Sequence, residues 1–88
     1  MKLRIESTNP SNKSYLDFTH VTGFEVTKDY ASITFETADI AAEAYDWIWN
    51  GGLDPELFKD LAHNASLYAF KKEIGFTNLF DYVFKIVE

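Results

Sequence analysis

Apolar side chains recur at every second position in the strand-like stretches of the first 36 residues and at every third or fourth position from Thr37 to about residue 69. No other feature of the chain constrains its fold as much as this change of period. A period of two puts one face of a strand on a core, and a period of 3.6 does the same for a helix. KLRIE at 2–6 sets Leu3 and Ile5 against Lys2, Arg4 and Glu6, and YLDFTHV at 15–21 sets Leu16, Phe18 and His20 against Tyr15, Asp17 and Thr19. The turn formers STNPSNKS at 7–14 separate these two strands, and Gly23 permits a bend or bulge after the second. Residues 24–27 and 30–36 read as a hairpin around Lys28 and Asp29, with Phe24 and Val26 facing Ala31, Ile33 and Phe35.

From Thr37, Ile40, Ala41, Ala44, Trp47 and Ile48 share one helical face. Gly51 and Gly52 stand where a left-handed cap would end that helix, which is therefore predicted over about 38–50. A second helix is predicted after Asp54 as N-cap, with Pro55 at its first position and Glu56 in its first turn. Leu57, Phe58, Leu61, Ala62, Ala65, Tyr68 and Ala69 form its apolar stripe, and Lys71, Lys72 and Gly75 close it. His63, Asn64 and Ser66 are the weak helix formers within it. In the tail, Phe80, Tyr82, Phe84 and Ile86 alternate with Asp81, Val83, Lys85 and Val87, which predicts a strand in preference to a helix capped by Thr77.

The expected fold is α+β, with a small antiparallel sheet of three to five strands, two helices packed on one face and the order β-β-β-β-α-α-β. The 88 residues are read as a single acidic domain. A chain of this length buries only about 60–65% of its unfolded surface, so the 47% apolar and 17% aromatic content is what fills its one core.

The absence of cysteine excludes a disulfide framework and thiolate metal sites, and a reducing, cytoplasmic setting is the expectation. MKLRIESTNP has no apolar run of signal-peptide length, and charges interrupt every stretch approaching the ~20 apolar residues of a membrane helix, so no membrane partner is expected. His20 and His63 lie 43 residues apart, and no GxSxG, P-loop or GxGxxG spacing is present. Gly51 and Gly52 alone make no phosphate cradle. Neither enzyme activity nor a cofactor or metal is expected.

The net charge of −6 is concentrated in the middle of the chain. Residues 1–16 carry net +2, residues 17–60 carry −8, and residues 61–88 balance. Direct nucleic-acid binding through the middle segment would be opposed at long range. Asp39, Glu43 and Asp46 fall at i, i+4 and i+7, an acidic stripe opposite the apolar face of the first helix, and Glu56 and Asp60 repeat the spacing on the second, with Asp54 nearby. Like charges at this spacing cost a few tenths of a kcal/mol each. Tyr45 and Trp49, also at i and i+4, set an aromatic pair beside the acids.

A solvated face explains the stripe with no partner at all. The sharper reading is a small non-enzymatic binding protein, an inhibitor or adaptor that engages a basic protein surface, most naturally that of a nucleic-acid-binding protein. Its narrowest form is nucleic-acid mimicry by a phage or mobile-element inhibitor of a defence enzyme such as CRISPR or restriction machinery, an analogy in size and charge alone. The alternative is a homodimer or assembly subunit joined through Tyr45, Trp49 and the sheet, with charge serving solubility only.

Overall fold

The alternating stretches form strands, as their period requires. A computed structural model describes residues 1–11, 13–27, 29–51, 53, 55–58, 60–70 and 82–88, with backbone alone at 55, 56, 60–63 and 70. β1 (Lys2–Ser7), β2 (Tyr15–Phe18), β3 (Val21–Val26) and β4 (Tyr30–Phe35) precede helix α1 (Ala38–Asn50). A 3₁₀ turn (Pro55–Phe58), β5 (Asp60–His63), β6 (Ser66–Phe70) and β7 (Tyr82–Val87) follow.

The strands make two antiparallel sheets, ordered β2-β1-β7 and β3-β4-β6-β5. The α+β class is as expected, but the single sheet, the second helix and the order β-β-β-β-α-α-β are corrected. The described chain holds one α-helix and two sheets of three and four strands.

In the three-stranded sheet, Leu3 pairs with Phe18 and Ile86, and Ile5 with Leu16 and Phe84. Leu3, Ile5 and Phe18 are fully buried, which fixes the register, since a one-residue slip would put Arg4 and Asp17 into the core. On the outer face Arg4 Nε and Nη2 donate to the two Asp17 oxygens at 2.6 and 2.9 Å, and Lys85 Nζ lies 3.0 Å from Glu6. The Arg4 guanidinium also lies 4.3 Å from the centre of the Tyr15 ring. β7 is the strand predicted for the tail, although Thr77, Phe80 and Asp81 fall outside the described residues.

The stretch read as one strand over 15–21 is broken. The chain leaves the first sheet after Phe18, and His20 takes a positive φ of 58° before Val21 starts β3 in the second sheet. A strand serving two sheets must turn between them, and histidine is among the residues that tolerate this region. Glu36 N donates to His20 O at 3.0 Å, which holds the corner. The register of β3 against β4 then shifts between Val21 and Gly23, a bulge at the glycine predicted to allow one. Beyond it Phe24 pairs with Ile33 and Val26 with Ala31, as the alternation requires.

α1 begins where the period changes. Thr37 is its N-cap, its Oγ1 accepting from Ile40 N at 3.2 Å, and Asp39 sits in the first turn beside the positive end of the helix dipole. Ala41, Ala44 and Ile48 are buried against the second sheet. Gly51 ends the helix at φ −93°, not in the left-handed conformation expected of it. What requires glycine there is space, because a Cβ would strike the Leu16 side chain and lie 2.7 Å from the Trp47 carbonyl oxygen. Gly52 lies outside the described residues.

The predicted second helix is a 3₁₀ turn followed by a hairpin. Pro55 starts a single turn that buries Leu57 and Phe58 completely, and β5 and β6 then meet across Asn64 and Ala65. Both turn residues have positive φ, 50° and 68°, the mark of a two-residue type I′ hairpin loop. The decisive signal is Leu67 and Ala69, both fully buried on one side of β6 with half-buried Tyr68 between them. β6 supplies the partner that the second edge of β4 needs, pairing Ala31 with Ala69 and Ile33 with Leu67.

Two outcomes check this architecture. An L-residue other than Asn or Gly pays about 1–2 kcal/mol in the left-handed region, against about 0.5–1 kcal/mol for the extra freedom of glycine. Ala65→Gly should therefore stabilise the protein by roughly 0.5–1 kcal/mol in urea unfolding, whereas in a helix it would destabilise by about 1 kcal/mol. The Arg4 hydrogen bonds hold the Asp17 carboxyl below the usual carboxylate range. A lowered folded-state value gives stability that is present above about pH 4 and lost as pH falls through that lowered value. Denaturant midpoints measured between about pH 5 and pH 2 should accordingly fall more steeply in the wild type than in Asp17→Asn.

Candidate binding face

The sequence places three carboxylates on the outward side of α1, and the fold leaves them there. Asp39, Glu43 and Asp46 are exposed, and among the described residues no lysine or arginine lies within ion-pair distance of any of them. Lys2, Arg4 and Lys85 are engaged instead with Asp17 and Glu6 on the outer face of the three-stranded sheet. The three acids span about 10 Å of helix axis. That is close to the ~8 Å Debye length at physiological salt, so they act on a partner as a group.

An indole flanks the acidic stripe on each side. At 100° per residue, Trp47 follows Glu43 by one turn along one flank, and Trp49 follows Asp46 by three residues along the other. Trp49 is 56% exposed and stacks edge-on against half-buried Tyr45, with ring centres 6.1 Å apart and planes at 79°. Trp47 is 46% exposed, although its spacing placed it on the apolar face of the helix. Ala41, Ala44 and Ile48 occupy the centre of that face, and Trp47 is left at its margin.

Beside Trp47 a cleft of about 200 Å³ opens between α1 and the corner that joins β2 to β3. Its floor is Phe18, Phe35 and Ala44, all buried, with Ile40 on its wall. Glu43, Trp47 and His20 stand at the rim. Phe18 and Phe35 pack edge to face beneath, 5.9 Å between ring centres. His20 Nδ1 lies 3.2 Å from Glu36 Oε2, both side chains more than half exposed.

The remaining predicted site residues do not extend the stripe along a second helix. Glu56 falls in the 3₁₀ turn and Asp60 opens β5, with only their backbones described, and Asp54 lies outside the described residues. The fold thus brings Asp39, Glu43, Asp46, Tyr45 and Trp49 together on α1, and beside them it sets Trp47 and His20, which the spacing did not single out for this face, and Glu36, an acid the charge pattern had only counted as a neighbour. The available signal for Trp47 was its i+4 relation to Glu43. Nothing in the alternation of 15–21 announced the corner at His20.

Among the described residues no three of His, Asp and Glu are placed to hold a metal, and no helix is long and apolar enough to cross a membrane. No known protein family, curated protein or solved structure matches the chain.

Because both tryptophans of the chain stand on α1, their fluorescence reports on this face alone. At low salt caesium should quench it more efficiently than iodide, relative to free N-acetyltryptophanamide. The difference should collapse in Asp39→Asn/Glu43→Gln/Asp46→Asn and in about 1 M salt, where the Debye length is ~3 Å.

Proposed function

We propose that the protein is a non-catalytic binding module that docks through the outer face of α1 onto a positively charged protein surface, as an inhibitor or adaptor. The observation that carries this reading is the coincidence on one helix of three carboxylates that no described lysine or arginine neutralises with two half-exposed indoles. Carboxylates steer and orient an encounter, while tryptophans are the side chains that most often carry binding energy once water is excluded. A face kept only for solubility has no use for the indoles, which expose apolar area at a cost to solubility.

The narrower reading, a nucleic-acid mimic that inhibits a defence enzyme such as CRISPR or restriction machinery, asks for more charge than α1 supplies. Three carboxylates over about 10 Å are sparser than one phosphate per ~3.4 Å of a DNA strand, and among the described residues no second α-helix doubles the row. Steering with aromatic anchoring is therefore favoured over phosphate mimicry. A second reading, a homodimer or assembly subunit, draws support from edge strand β3. Phe24 and Val26 are 37% and 46% exposed there, on the same side of the sheet as fully buried Ile33 and Ala31.

Affinity capture from the source cell, eluted along a salt gradient and followed by titration of each purified partner, separates these readings. Charge-led docking should weaken more than tenfold between about 50 and 500 mM salt and be lost in Asp39→Asn/Glu43→Gln/Asp46→Asn. Self-association that survives both changes in sedimentation velocity, yet fails in Val26→Lys or Trp49→Ala, would displace the primary reading with the second.

A further inference from the structure

The cleft beside Trp47 combines an apolar floor with an anionic, aromatic rim, and this pairing specifies an occupant. We propose that it receives one arginine side chain of the basic partner. This inference rests on the docking reading above and names its anchor.

A volume of about 200 Å³ lies below the ~300–1,000 Å³ of small-molecule sites, so the cleft suits a single side chain better than a free metabolite. Buried Phe18 and Phe35 match the aliphatic stem of such a side chain. Glu43 and Trp47, one helical turn apart, line the same cleft. A cation between them meets a carboxylate and an indole face together, and both attract it more strongly as water leaves. Glu36 does not line the cleft, but its carboxylate lies 3.2 Å from Nδ1 of His20, which does.

Guanidinium fits this geometry better than ammonium, because it is planar, stacks on aromatic rings and is weakly hydrated. The wall facing α1 is pinned in place, since the His20 carbonyl accepts from Glu36 N at 3.0 Å. The cleft is therefore formed before any partner arrives.

The test titrates ¹⁵N-labelled protein at low salt with N-acetyl-arginine N-methylamide, with its norleucine counterpart and with a hexa-arginine peptide. The arginine amide should give saturable shifts at the Trp47 indole and at the His20 and Glu43 amides. The norleucine amide should not. Affinity should drop about three- to tenfold in Glu43→Gln and in Trp47→Leu, variants of exposed positions whose folding the same spectra verify.

Equal response to the norleucine amide overturns the cleft. So do shifts centred on Trp49 and Asp46 that neither variant alters, and in that case docking on a basic surface still stands. If hexa-arginine leaves every α1 resonance unmoved at low salt, the docking reading falls as well, and the two failures are thereby distinguished.

Discussion

β4 is hydrogen-bonded along both edges and buried through Ala31, Ile33 and Phe35, and the remaining architecture answers to that requirement. A strand at this depth cannot leave a row of amides and carbonyls without partners, since each unpaired buried group costs on the order of 1–3 kcal/mol. β3 satisfies one edge through a short hairpin. The other edge must be met by chain that comes after α1, and β6 meets it. Helical signals at 54–69 amount to a cap, a proline and a weak stripe, each worth about 1 kcal/mol or less, so the row of ladder bonds prevails.

The same arrangement decides where charge accumulates. β1 sits in the middle of the three-stranded sheet, and its outward residues Lys2, Arg4 and Glu6 find opposite charges on β2 and β7. Arg4 stands directly across from Asp17 in the ladder, and a forked guanidinium–carboxylate pair has a fixed geometry that exposed lysine pairs lack. Those cations are thus held on a different sheet from the one that carries α1. The negative field of the helix comes from this segregation as much as from its own three acids.

Elements whose signal is local were legible in the sequence. Thr37 and the 3.6 period placed α1 at its observed bounds, and the alternation in 2–6, 24–36 and 82–87 placed strands, with Leu3, Ile5, Ala31, Ile33 and Phe35 buried as read but Phe24, Val26 and Ile86 left exposed. What could not be read were features set by distant partners. Asn64 and Ala65 become a turn because β4 lacks a neighbour, Gly51 is needed because Leu16 of another sheet packs against it, and His20 turns because two sheets share the chain. The candidate face divides in the same way. Its acids follow from spacing along one helix, whereas the cleft needs the β2–β3 corner, which no periodicity reports.

The exposed indoles follow from how α1 is packed. Alanine at 41 and 44 lets the helix backbone approach the second sheet closely, so the contact is filled by Ile48 and by side chains rising from the strands. A closely seated helix has no room beneath it for an indole, and Trp47 and Trp49 are displaced to its two flanks. Full burial of a large apolar side chain is worth about 1.5–3 kcal/mol, a substantial fraction of the stability of a domain this small. A sequence shaped for stability alone would bring those rings inward and place smaller residues on the flanks. That they stay half in water, one beside the cleft and both bordered by carboxylates, is the physical ground of the proposal that this helix serves recognition.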